Sequence, residues 1–72
     1  MIKDLSTLSA QIKATRKKKG FTQKALAERL GIDRTHISRA ENDILNVSVS
    51  KLRKIVETGL GGEVKFEIKL LS

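Results

Sequence analysis

The segment "RTHISRAEN", residues 34–42, has Ile37 and Ala40 at inward helical positions and leaves Arg34, Thr35, His36, Ser38 and Arg39 for the outside. Guanidinium, hydroxyl and imidazole groups on one exposed surface are donor-rich, which is the chemistry of recognition rather than of bond making. The rest of the chain offers no catalytic set. His36 is its one histidine and it has no cysteine, so a thiolate metal site, a disulfide and a multi-histidine metal site all lack their ligands. No carboxylates pair in an apolar setting. Gly61 and Gly62 lead into an alternating pattern rather than a helix, unlike a phosphate-cradling loop. The expectation is a non-enzyme with no metal and no cofactor.

Such a surface needs elements to hold it. Leu5, Leu8 and Ile12, with Ala10 and Ala14, predict a helix over about 5–19. Asp4 or Ser6 is placed to cap its start. Lys17, Lys18 and Lys19 crowd its last turn, where they suit the helix dipole or reach phosphates, and Gly20 ends it. Thr22 caps a short helix over about 23–30, with Leu26 and Leu30 on one face and Ala27 beside them. Gly31 stops it. Asp33 caps the next helix, about 34–42. After the loop "NDILNV", Ser48 caps a fourth helix of about 49–58 with the stripe Val49, Leu52, Ile55 and Val56. From Val64 the apolar residues fall on alternate positions, Val64, Phe66, Ile68 and Leu70, the pattern of a half-buried β-strand.

Seventy-two residues make one domain near the lower limit for a single core. No apolar run approaches the ~20 residues of a membrane span, and the N-terminal residues do not resemble a signal peptide. A soluble, cytoplasmic and nucleoid-associated location is expected. The net charge of +7 is unevenly placed. Residues 1–40 hold ten Lys and Arg against Asp4, Glu28 and Asp33, whereas residues 41–72 hold five charges of each sign. That split points to a polyanion-binding face and a neutral remainder with another task. RNA is the weaker polyanion, since Phe21 and Phe66 are the only aromatics for stacking and both are expected to be buried.

Residues 21–42, "FTQKALAERLGIDRTHISRAEN", combine these features into two short helices joined by a Gly-containing turn, a helix-turn-helix. Ala27 is small where the helices must approach. Ile32 and Ile37 pack the second helix on the first through Leu26 and Leu30, and the second presents the polar face that a helix in the major groove requires. Arg16, Gly20-Phe21-Thr22-Gln23, Leu26-Ala27, Leu30-Gly31-Ile32, Ile37-Ser38 and Glu41-Asn42 together resemble the Xre/Cro-type helix-turn-helix regulators, which include the lambdoid phage repressors. The later "VSVSKLRKIVETGLGGEVKFEI" resembles a subset in which the fourth helix runs into a C-terminal strand, as in HipB- and HigA-type antitoxins.

The resemblance implies a mainly α, four- to five-helix, lambda-repressor-like domain over residues 1–60, followed within the same domain by a dimerisation strand over 61–72. It implies that Arg34, Thr35 and Arg39 read bases, arginine gripping guanine with two donors. It places Gln23 and Asn42 on the DNA backbone, in a set with Lys24, His36 and Ser38. His36 either touches a phosphate or lies beside the groove, and Lys24, Arg29 and Lys51 add sequence-blind attraction. Arg16 and Glu41 match a scaffold ion pair. One departure is Asp43, where the family usually has glycine; an aspartate tolerates the left-handed backbone expected there. Ile44 and Leu45 stand where many members carry Lys or Arg, and are expected to pack inward.

Two functions follow. The first is a transcriptional regulator, in its commoner form a repressor, that binds a pseudo-palindromic double-stranded DNA operator as a homodimer. Its dimer interface is Val64, Phe66, Ile68 and Leu70, the strand pairing with its copy about a two-fold axis. The second is an antitoxin that binds a cognate toxin protein and represses its own operon. Toxins are often gripped by a disordered tail; no such surplus is expected past the strand, which lowers this reading without removing it, since a folded surface such as the fourth helix can also bind.

Overall fold

A computed structural model describes residues 5–62. The expected strand with Val64, Phe66, Ile68 and Leu70, and the cap expected at Asp4, lie outside those residues; Ser6, the other candidate cap, falls inside α1. The described residues are mainly helical: α1 (Leu5–Lys18), α2 (Gln23–Leu30), α3 (Arg34–Asn42), a single 3₁₀ turn at Ile44–Asn46, and α4 (Val49–Arg53), which widens into a π-helical segment over Lys54–Gly59.

Local chemistry fixes the starts of the three later helices. Thr22 Oγ1 accepts from the Ala25 amide at 2.9 Å, Asp33 Oδ1 from Thr35 at 2.8 Å, and Ser48 Oγ from Lys51 at 3.1 Å. Each satisfies an amide that the first helical turn leaves without a partner. At the other end of α2, Gly31 adopts φ 68° and ψ 32°, the left-handed region that costs a residue with a Cβ. The Ile32 amide then reaches Ala27 O (3.0 Å) and the Gly31 amide reaches Glu28 O (3.2 Å), a Schellman closure that swings Ile32 back against the core.

Leu26 and Ala27 from α2, Ile37 and Ala40 from α3, and Leu8 and Ile12 from α1 meet Leu52, Ile55, Val56 and Leu60 in one buried cluster. Leu26, Ile37 and Ile55 are its largest fully buried side chains. The small side chains of Ala27 and Ala40 let the helices close upon one another.

Five expectations are corrected. The fourth helix is not a regular α-helix to residue 58. After Arg53 it widens, and the Leu60 amide donates to Ile55 O at 3.0 Å, the i→i+5 pattern of a π turn. A Cβ at Gly59 would lie 3.0 Å from both Leu26 Cδ1 and Leu30 Cδ1, so the wide turn seats a glycine backbone against α2 and delivers Leu60 to the core. Leu45 does not pack inward: it is 80% exposed, and Val49, expected in the buried stripe, is 54% exposed. In a turn of three residues, Ile44 and Val47 share the inner side, which leaves Leu45 facing away. Nor does Asp43 use the left-handed region. Its φ is −151°, and its carboxylate instead accepts from Asn46 Nδ2 at 2.8 Å, which stabilises the turn from the side chain. Phe21, finally, is half-buried, and Arg29 lies over its ring, 5.5 Å from the centroid.

Candidate nucleic-acid interface

Burial of Ile37 and Ala40 fixes which side of α3 meets solvent. At about 100° per residue, Arg34, Ser38, Asn42, Thr35 and Arg39 fall in that order around a single arc of roughly 140°. Arg34, Thr35, Arg39 and Asn42 are exposed and Ser38 is half-buried, so the structure gathers all five on one outer face. His36 falls off the arc on the far side of Arg39 and is half-buried. Arg34 and Thr35 sit at the capped N-terminus and Arg39 in the last turn, so the three exposed side chains run along one outer face of the helix.

Asp33 stands at that leading end. The hydrogen bond from Thr35 holds its carboxyl below the ordinary 3.8, with smaller help from the charges of His36 and Arg34. It therefore stays ionised at neutral pH and keeps the cap formed.

Behind the arc lies a buried polar network. Arg16 Nε and Nη2 donate to Glu41 Oε2 (2.6 Å) and Oε1 (3.0 Å), a two-pronged ion pair with side chains 7% and 0% exposed. Arg16 Nη1 donates to Phe21 O (2.7 Å), while the Phe21 amide donates back to Arg16 O (3.1 Å). The pair thus ties the end of α1, the α1–α2 junction and the end of α3 together. Among the described residues, no buried side-chain nitrogen or oxygen lacks a partner.

The structure also gives partners to two residues expected on the DNA backbone. Gln23 Nε2 donates to Glu41 Oε1 at 3.3 Å, and Asn42 Nδ2 donates to Ser38 O at 3.1 Å. Lys24 is exposed beside Gln23. The Gln23–Glu41 contact joins residues 18 apart and has no local signature, so nothing in the sequence pattern announces it. Among the described residues no group of three or more His, Cys, Asp or Glu side chains could hold a metal, and no helix is long and apolar enough to cross a membrane.

The helix-turn-helix family profile matches residues 12–58, which spans α1 from Ile12 through α4. The chain belongs to that family. It is of the Xre/Cro type and is a helix-turn-helix DNA-binding regulator. No curated protein sequence matches the chain. Among solved structures it is similar to "Structure of HipA-HipB-O2-O3 complex", at 27% identity over 97% of each chain with a TM-score of 0.80. It is equally similar to "HipB-O4 20mer complex", at 28% identity over 94% of each chain with a TM-score of 0.80. A structure described as "MDT Protein" matches with the same identity, coverage and TM-score.

The helix-turn-helix thus hangs on a desolvated charge pair, and its variants should separate the cost of an orphaned charge from the worth of the pair. Arg16→Met strands Glu41 and is expected to cost about 3–5 kcal/mol in chemical denaturation. Arg16→Met combined with Glu41→Leu should recover much of that loss. Equal damage from the single and double variants would contradict the buried pair.

Proposed function

We propose that this chain is a sequence-specific regulator that represses transcription by binding a pseudo-palindromic duplex operator as a homodimer. One observation carries the reading: a helix clamped by Ile37 and Ala40 turns Arg34, Thr35 and Arg39 outward together on one face. Arg34 and Arg39 read guanines through paired donors and Thr35 contacts a thymine methyl or a phosphate. Gln23, Lys24, Ser38 and Asn42 position the domain on the backbone, and His36, set at the margin of the arc, contacts a phosphate at most. The concentration of positive charge in residues 1–40 supplies the sequence-blind attraction that brings the domain to DNA.

Dimerisation follows from the alternation of Val64, Phe66, Ile68 and Leu70, whose pairing with a second copy gives the edge of a lone strand its partner. Two recognition helices then meet half-sites about one helical turn apart. In this division residues 1–60 read DNA and 61–72 hold the dimer.

The second reading is an antitoxin. It is favoured by the similarity over 97% of both chains to a protein solved in a complex named for HipA and HipB. Co-expression with the product of the adjacent gene distinguishes it: a stable complex that relieves growth inhibition supports an antitoxin, and a harmless, non-associating neighbour leaves the repressor alone.

Combined Arg34→Ala and Arg39→Ala is expected to abolish discrimination between operator and random DNA while the circular dichroism spectrum is unchanged. Retained discrimination would overturn the assignment of α3. Chain cut after Gly62 is expected to sediment as a monomer; a persisting dimer would place the interface elsewhere.

A further inference from the structure

Gln23 opens α2 and Glu41 lies in the last turn of α3, yet the Gln23 amide nitrogen meets the Glu41 carboxylate at 3.3 Å. The Arg16–Glu41 pair explains the fold without this third contact, so the contact asks for its own account. We propose that Glu41 is a positioning residue for DNA binding: it holds the Gln23 amide in the orientation that offers an N–H to a backbone phosphate. The inference rests on Gln23 as a phosphate contact and deepens that assignment.

The terminal torsion of a glutamine is broad and roughly two-fold, so a free Gln23 presents its carbonyl or its amino group outward with little preference. A phosphate oxygen only accepts. It binds the amino group and is repelled by the carbonyl. Glu41 also only accepts, so it admits the amino group alone and rejects the flipped amide. That nitrogen carries two hydrogens. Glu41 takes one, and the second is left for an acceptor outside.

Glu41 can do this because Arg16 holds it. Oε2 receives Arg16 Nε, and Oε1 receives Arg16 Nη2 and still has a lone pair for Gln23. The Glu41 side chain has 0% exposure, so its rotamer is set by packing, and the guanidinium offsets its charge. Arg16 is itself anchored on Phe21 O. The order of control runs from the α1–α2 junction through Arg16 and Glu41 to Gln23. With the amide already ordered in the free protein, less rotamer freedom is lost when DNA arrives.

The test is a double-mutant cycle on the full chain with a labelled duplex of mixed sequence at low salt, because a phosphate contact does not depend on base sequence. Thermal melts set a temperature at which every variant is folded. Gln23→Ala and Glu41→Asp, which keeps the charge opposite Arg16 but withdraws the carboxylate, are each expected to weaken binding roughly tenfold. The double variant should bind no worse than Gln23→Ala, because Glu41 acts through Gln23. A further equal loss from Glu41→Asp in the Gln23→Ala background would overturn the proposal, as would tighter binding by Glu41→Asp alone. An ineffective Gln23→Ala would overturn the phosphate contact itself, and a wild-type chain that ignores duplex DNA would overturn the DNA-binding reading and this inference with it. A readout needing no DNA and no variant is the Gln23 side-chain amide by nuclear magnetic resonance. Slowed solvent exchange and one proton shifted by the carboxylate are expected in the free wild-type chain. Values of a freely solvated glutamine would contradict it.

Discussion

The ion pair between Arg16 and Glu41 sits where α1, the α1–α2 junction and the end of α3 converge, and the arrangement of the helix-turn-helix depends on its geometry. Burying two charges costs several kcal/mol per ion, and the attraction between them offsets this only where the remaining donors and acceptors are also filled. Here each of their side-chain nitrogen and oxygen atoms has a partner: two prongs on the carboxylate, a third donor on Phe21 O, and Gln23 on Oε1. An apolar pair could hold the helices as tightly. It would not specify rotation, since apolar contact is non-directional, whereas a two-pronged ion pair tolerates only one setting of α3 about its axis.

That setting is what the binding face requires. Ile37 and Ala40 press α3 inward and Glu41 fixes its last turn, so Arg34, Thr35 and Arg39 have one direction left to point. The turn before it is equally constrained. Gly31 in the left-handed region and the Schellman closure on Ala27 and Glu28 set the angle at which α3 departs from α2. Ala27 at the contact keeps the two helices close. Support for α2 comes from behind, where Gly59 lies against Leu26 and Leu30 and Leu60 fills the core. The exposed face carries the chemistry, and the buried side determines where that chemistry is aimed.

Much of this was legible in the sequence, for identifiable reasons. Thr22, Asp33 and Ser48 act on amides two or three residues away, so the helix starts could be placed from the residues alone. Periodicity found Leu26, Leu30, Ile37, Leu52 and Ile55, because each lies on a helix whose one apolar face must be covered. The pairing of Arg16 with Glu41, 25 residues apart, came from the family resemblance and not from any local pattern. What stayed hidden was decided at a distance. Leu45 looks like a core residue by composition, and its outward direction follows from the three-residue turn that Asp43 and Asn46 form. The widening after Arg53 depends on the fit of Gly59 against α2, which the stripe Leu52, Ile55 and Val56 does not encode. The Gln23–Glu41 bond exists only once α2 and α3 are packed.

Of the two jobs proposed for the chain, reading DNA and joining a second copy, a single measurement addresses both: selection of bound sequences by the full chain from a random pool of double-stranded DNA. The account predicts enrichment of a two-fold symmetric sequence whose half-sites are centred about 10 base pairs apart, with guanines at the positions opposite Arg34 and Arg39. A recovered pool no different from the input, with binding that depends on salt alone, would contradict it.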